Sequence, residues 1–439
     1  MSESSRLGRA RGRVLTVGIT AAALVAMLAL APLASAATPD PIASGTTTLT
    51  INSGFNNKAK KAGIKVTAVK PAKLKGTKAT FSVTGGEIEP TTGVGVITHS
   101  GGLKLKWGKK SVTLKAFEVN TKTKSLTASV GSKKVKFATL GGLSTARLGF
   151  GASVSAKNLK LTSAGAKALN QKLTPAPTKV KVKKKGKTVV KVVKTKPPFK
   201  ANMVLGKSTS EVEPKTVNVL AKESMVYNGD STLLGKLKDV EVEVQTISPT
   251  TANGLQFSSP ISGGTISPLG TSGQVNSSGG LKLVQNLKGG PSTSITLAAI
   301  GVDLAAKTAS VEVIGESNAE SEGKKPLNLG NLGRSSIADL TIGSVTPSPA
   351  TRTVAVNASA TVQPVAAEVL EGFVKVYQGY FTKVAALTLA KEVEAGLKPP
   401  MTPAEIEAAA KKAGEDKVAN DQIKAGESLG SFSFTATGE

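Results

Sequence analysis

Apolar and polar residues alternate with a period of two along most of this chain. Ile64-Lys65-Val66-Thr67-Ala68-Val69 is the cleanest run and predicts a half-buried strand. Residues 80–83, 95–98, 103–107, 112–114, 126–130 and 135–138 follow, separated by Gly, Pro, Asn-Thr or Lys-rich turns. Strands this short, at intervals of roughly 8–12 residues, indicate an antiparallel sandwich or barrel. The alternation returns at 240–244, 281–284, 294–297 and 309–313.

Helical signals interrupt it in a few places. Thr162-Ser163 caps a helix over 164–173, and Pro364 opens a longer amphipathic stretch through 391. Thr402-Pro403-Ala404-Glu405 combines an N-cap, a proline at the first helical position and a glutamate placed for a capping box, leading into 406–424.

The pattern is also duplicated. Ser-Gly-Gly-Leu-Lys-Leu begins at Ser100 and again at Ser278, 178 positions later, and Gly85-Gly86 matches Gly263-Gly264 at the same offset. The pairs Phe81-Ser82 and Phe257-Ser258 run two residues out of step, and downstream the offset grows to 183, which places a five-residue insertion near 288–294. A period this long is a domain copied once, because solenoid modules recur every twenty to fifty residues. The expected fold is mainly β: two tandem antiparallel β-sandwich-like domains, 44–214 and 215–439, the second with an added helical segment at 364–424. The first carries a Lys-rich hairpin, 178–196, in the equivalent place.

Composition narrows the function classes. Without cysteine there is no disulfide, thiolate metal site or cysteine nucleophile. Aromatic residues at 3% are too few for the interfacial girdles of an outer-membrane barrel. The net charge of +28 is concentrated in the first copy and favours anionic polymers, while the missing aromatics in the Lys-rich stretches argue against nucleic acid.

At the amino terminus Arg6, Arg9, Arg11 and Arg13, the apolar run 14–30 and Ala34-Ser35-Ala36 read as a signal peptide over 1–36; a retained anchor over 14–33 is the competing reading. After cleavage no transmembrane segment remains, so the expected location is secreted or cell-surface associated. The alternation of Lys179, Lys181, Lys183, Lys184, Lys185 and Lys187 with valine supports two readings. One is a hairpin whose lysines keep its edges solvated, and the other is a finger that binds anionic cell-wall polymer.

Catalysis lacks its parts. The single histidine, His99, has no nucleophile elbow near it. Glu87 with Glu89, and Glu241 with Glu243, share strand faces in the way of any solvated sheet surface. Metal-ligand clusters are missing, and the glycine-rich segments lie between strands, without the helix of a phosphate cradle. No enzyme is expected.

Gly93, Gly95, His99, Gly101, Gly102 and Leu103, then Leu126-Thr127, then Leu161, Thr162, Gly165, Ala166, Leu169 and Asn170 form an order that is similar to the Htaa domain. That family comprises exported haem-binding modules of actinobacterial envelopes. The resemblance implies a mostly β fold with short helices, no catalysis, and haem as ligand in a binding or uptake role. It further implies an upstream tyrosine on the haem iron, supported by the histidine of His-x-Gly-x-Leu. Here the first copy keeps His99 and has no tyrosine, Phe55 being the nearest aromatic, whereas the second has Tyr227 with Ser277 in place of the histidine. His99 and Tyr227 are the haem-binding residues the resemblance implies, and Tyr377 and Tyr380 are expected to be packing residues.

Overall fold

The computed structural model describes residues 38–184, 187–193, 195–318 and 330–439. The segment read as a signal, 1–36, lies outside the described residues, as do Lys185 and Gly186. Among the described residues no helix is long and apolar enough to cross a membrane.

The first half runs β1 (Asp40–Ile51), α1 (Ser53–Lys61), β2 (Ile64–Val69), β3 (Lys73–Lys75), β4 (Lys78–Ile88), β5 (Gly95–His99), β6 (Gly102–Trp107) and β7 (Lys110–Asn120). It continues with β8 (Ser125–Val130), β9 (Lys133–Leu148), β10 (Gly151–Leu161), α2 (Ser163–Leu173), β11 (Thr178–Lys184), β12 (Lys187–Val193) and β13 (Val204–Pro214). The second half runs β14 (Val217–Asn218), β15 (Ser224–Gly229), α3 (Ser231–Asp239), β16 (Val242–Ile247), β17 (Thr251–Asn253), β18 (Gln256–Ile266), β19 (Gly273–Ser277), β20 (Gly280–Asn286) and β21 (Ser292–Asp303). Then come β22 (Thr308–Ser317), β23 (Gly330–Ser348), β24 (Thr353–Val362), α4 (Pro364–Glu394), α5 (Pro403–Lys417) and β25 (Ser428–Thr437).

Pairing closes each half on itself. In the first, β7-β5-β4-β1-β13-β10-β9-β8 are neighbours in that order and β8 pairs back to β7. In the second, β18-β15-β25-β24-β23-β22-β21 are closed by β19, which pairs both β21 and β18. Both are antiparallel eight-strand barrels, so the mainly β, tandem reading holds and the sandwich-or-barrel alternative resolves to barrel. Alternation reports which face is buried but not that β7 meets β8 while also pairing β5. Closure leaves no open edge on the ring.

Each barrel has its own core. Ile97, Leu161, Leu169 and Leu173 are fully buried in the first, and Met225, Ile266, Ile295 and Phe373 in the second. Phe150, in the β9–β10 turn of the first barrel, is buried in the second barrel's core.

Register explains the repeat. Val83 pairs His99 and Ile261 pairs Ser277, so Phe81 corresponds to Ser259 and Ala79 to Phe257. The Phe-Ser pairs that run out of step are therefore different positions, both of whose phenylalanines face inward. The shared Ser-Gly-Gly has a steric cause. Gly101 (φ +82°) and Gly279 (φ +78°) lie against the backbone of the turn before β3 or β17, where an added Cβ would meet Ala72 N at 2.5 Å or Ile247 O at 2.7 Å. The insertion falls in the β20–β21 turn, where the Tyr380 hydroxyl donates to Lys288 O at 2.7 Å. Tyr377 is buried in the core, in its expected packing role.

Helix starts follow their caps: Thr162 accepts from Gly165 N at 2.9 Å, and Thr402 and Glu405 form the capping box. The last helix stops at Lys417 instead of running to 424, because the chain turns there to bury Val418 and Ile423.

Candidate functional site

His99 ends β5 with its ring inside the first barrel, 6% exposed. Its Nδ1 lies 3.0 Å from Phe117 O, and Nε2 lies 2.6 Å from Thr47 Oγ1, which in turn contacts Ser210 Oγ at 2.8 Å. A carbonyl only accepts, so the ring donates from Nδ1 to Phe117 O. Burial holds the imidazole below its ordinary pKa, against the pull of the Phe117 carbonyl. Phe81 meets the ring edge-on at 6.5 Å. The result is a saturated polar cluster within an aromatic wall. In the second barrel Ser277 takes this place and donates to Ile300 O at 3.4 Å, with Met225 and Phe434 where Thr47 and Ser210 stand.

Tyr227 lies on β15 in the other barrel, 8% exposed, between Phe257 (5.9 Å) and Phe432 (5.1 Å). Its hydroxyl donates to Leu429 O at 2.7 Å. Burial, with the nearby Asp230 carboxylate, pushes the phenol far above its ordinary value. The first-barrel counterpart is Leu49, not Phe55; Phe55 corresponds to Leu233, because Asn52 and Asp230 are the matching helix caps.

This arrangement does not fit haem iron. A ferric ligand of this type is an anionic phenolate, which burial opposes, and the tyrosine proton is already committed to a carbonyl. The structure places His99 and Tyr227 in separate barrels, each enclosed and hydrogen-bonded. The cavity beside Tyr227, about 90 Å³, is far below the several hundred Å³ typical of cofactor sites.

The lysines are arranged differently. β11 and β12 pair only with each other, Lys179 opposite Val192 and Lys181 opposite Val190, and form a two-stranded ribbon outside the barrel sheet. Lys179, Lys181 and Lys191 are exposed there, and so are Val180, Val190, Val192 and Val193. Lys183, Lys184 and Lys187 belong to the ribbon's strands, while Lys185 lies outside the described residues.

A second basic surface crosses β2, β6, β7, β8 and β9, with Lys65, Lys104, Lys106, Lys115, Lys134 and Lys136 exposed on the outer side of the sheet. Lys65 stands directly opposite Lys106, a destabilising like-charge pairing. Glu118, 2.9 Å from Lys134, is the acidic residue among them. At the matching positions the second barrel has Glu243, Lys282, Val284, Ala298, Arg334 and Ser336. Sequence reasoning missed this face, although Lys104 and Lys106 on β6 and Lys134 and Lys136 on β9 stand at alternate positions.

Among the described residues no group of three His, Asp or Glu gathers as a metal site. Of the paired carboxylates, Glu89 turns inward to accept from Thr91 N at 2.7 Å, and Glu243 accepts from Gln245 at 3.2 Å.

No family model matches the chain, and no curated protein matches it either. Solved structures with similarity include the C-terminal domain of HtaA from Corynebacterium glutamicum, at 12% identity and TM-score 0.31, covering 50% of this chain and 98% of that one. The N-terminal domain of the same protein gives 10% identity and TM-score 0.29 over 50% and 98%. The heme-binding protein HtaB from the same organism gives 10% and 0.28 over 51% and 95%. Likenesses at this level assign neither a residue role nor a ligand to this chain.

Proposed function

We propose that this chain is a non-catalytic binding protein of a bacterial envelope, secreted or surface-associated, whose first barrel adsorbs to an anionic wall polymer of the phosphodiester type. The observation that carries this reading is charge segregation between two copies of one fold. Residues 38–214 hold 34 Lys and Arg against 6 Asp and Glu, whereas residues 215–439 hold 19 against 22.

The second barrel acts as an internal control. It closes the same eight-strand ring without the basic face, so the lysines are not a requirement of folding. Lysines set opposite one another cost stability, which a polyanion offsets by neutralising them. The ribbon adds lysine along a projecting strand pair that contributes little to either core, and in this reading it is a second contact with the same polymer.

Haem, the ligand implied by the resemblance, is not assigned, because Tyr227 and His99 are each enclosed in their own barrel. The reading is tested by adsorption of purified protein to isolated wall polymer across a salt series. Steep weakening with salt, and loss of affinity on deleting 178–196, are expected. Salt-independent adsorption, or none, sinks it.

A further inference from the structure

The second barrel contains an apolar cavity that the polyanion reading does not use. It is bounded by the barrel wall and by the first turns of α3 and α4, through Leu233, Leu237, Ile295, Val369 and Leu370. Among the described residues that line it, Tyr227 and Ser335 alone carry a polar side chain, and the Tyr227 hydroxyl is committed to Leu429 O. At about 90 Å³ the space is several times the ~10–15 Å³ that a single water needs. Interiors normally leave few voids larger than a water, so an apolar space of this size is a feature to be explained.

Two of its lining positions carry smaller side chains than the first barrel does, while Tyr227 and Phe257 are larger than their counterparts Leu49 and Ala79. Leu233 and Ile300, both in its lining, correspond to Phe55 and Phe117 of the first barrel. There Phe55 packs on Phe199 and Phe117 on Phe81. The same scaffold therefore accepts phenylalanine at both places, and the second barrel forgoes it.

The cavity also has an approach. Leu332 and Val365, in its lining, are 46% and 55% exposed. Leu234, Val244 and Phe257 are shared with a shallower outer groove that carries Lys238, Glu241 and Glu243. Because these three residues border both spaces, an apolar tail in the pocket and a polar head in the charged groove fall within reach of one molecule.

We infer that the second barrel binds a single-chain amphiphile, with the end of its aliphatic chain in this cavity and its head group over the Leu234–Val244–Phe257 wall. A planar macrocycle is far larger than this space.

The test is calorimetric titration of the full chain with 1-octanol and with octanoate. Saturable one-to-one binding of at least one of them is expected, weakened at least tenfold in the double variant Leu233→Phe, Ile300→Phe, which copies the first barrel. Binding of both probes with similar affinity assigns recognition to the chain; a preference for one assigns part of it to the head group. Absence of saturable binding, or undiminished binding in the double variant, overturns the inference. If the double variant fails to fold, xenon binding to the unaltered protein decides: xenon is expected between Ile295 and Leu370, and its absence there is contrary.

Discussion

Thr47 and His99, 52 residues apart in sequence, meet inside the first barrel with Oγ1 and Nε2 separated by 2.6 Å. The contact links β1 to β5 over β4, which lies between them in the ring. Because burial holds the imidazole pKa below its ordinary 6.5, the folded state binds this proton less readily than the unfolded chain. The contribution of His99 to stability is complete above that value and is lost as pH falls through the lower folded value. His99→Ser, which copies Ser277, is expected to cost about 1–3 kcal/mol at neutral pH and to flatten the acid side of the profile. Urea unfolding at several pH values measures both effects.

Asp40 has the opposite sign. It is 2% exposed, Oδ2 has no partner, and burial pushes its carboxyl up to about 7, the Asn218 amide only partly offsetting this. A raised folded value gives stability that is full below the ordinary 3.8 and is lost as pH rises through about 7. Asp40→Asn is expected to remove that decline, a difference on the order of a few kcal/mol near neutrality. A variant whose urea midpoint falls as steeply as the parent's between about pH 4 and pH 8 contradicts the assignment.

Gly101→Ala and Gly279→Ala are each expected to destabilise by about 2 kcal/mol or more, since a left-handed backbone and a close backbone contact coincide at both positions. Gly108→Ala, also left-handed but with open space around it, is expected to cost about 1 kcal/mol. Thermal unfolding ranks the three, and equal losses would refute the steric argument.

How much of this was legible in sequence follows from range. Strand alternation, the Thr162 cap, the capping box at Thr402 and the duplicated Ser-Gly-Gly are local patterns, and each lies where its spacing indicated. Barrel closure, the Phe81–Ser259 correspondence and the Thr47–His99 contact depend on residues brought together from far apart, which periodicity does not encode. Tyr227 stood out by residue type, yet its environment is set by Phe432 and Leu429, about two hundred positions away. The lysine face was present as Lys65 on β2 and as alternate lysines on β6 and β9, but only strand order makes it one surface.

Hemin titration separates the haem reading from the one proposed. A protein whose only candidate phenol is buried and hydrogen-bonded should show no Soret shift that depends on Tyr227, so Tyr227→Phe should titrate like the parent. A ligand-type Soret band lost in that variant would restore the iron-binding role.

The most direct test of the central claim exchanges charge between the barrels while keeping the fold. Lys65→Glu, Lys106→Val, Lys115→Ala and Lys136→Ser together give the first barrel the residues of the second. Affinity for isolated anionic wall polymer, measured at low and at physiological salt, is predicted to drop at least tenfold and to lose much of its salt dependence, with the thermal midpoint unchanged or raised. Undiminished, equally salt-sensitive binding by this variant would contradict the account.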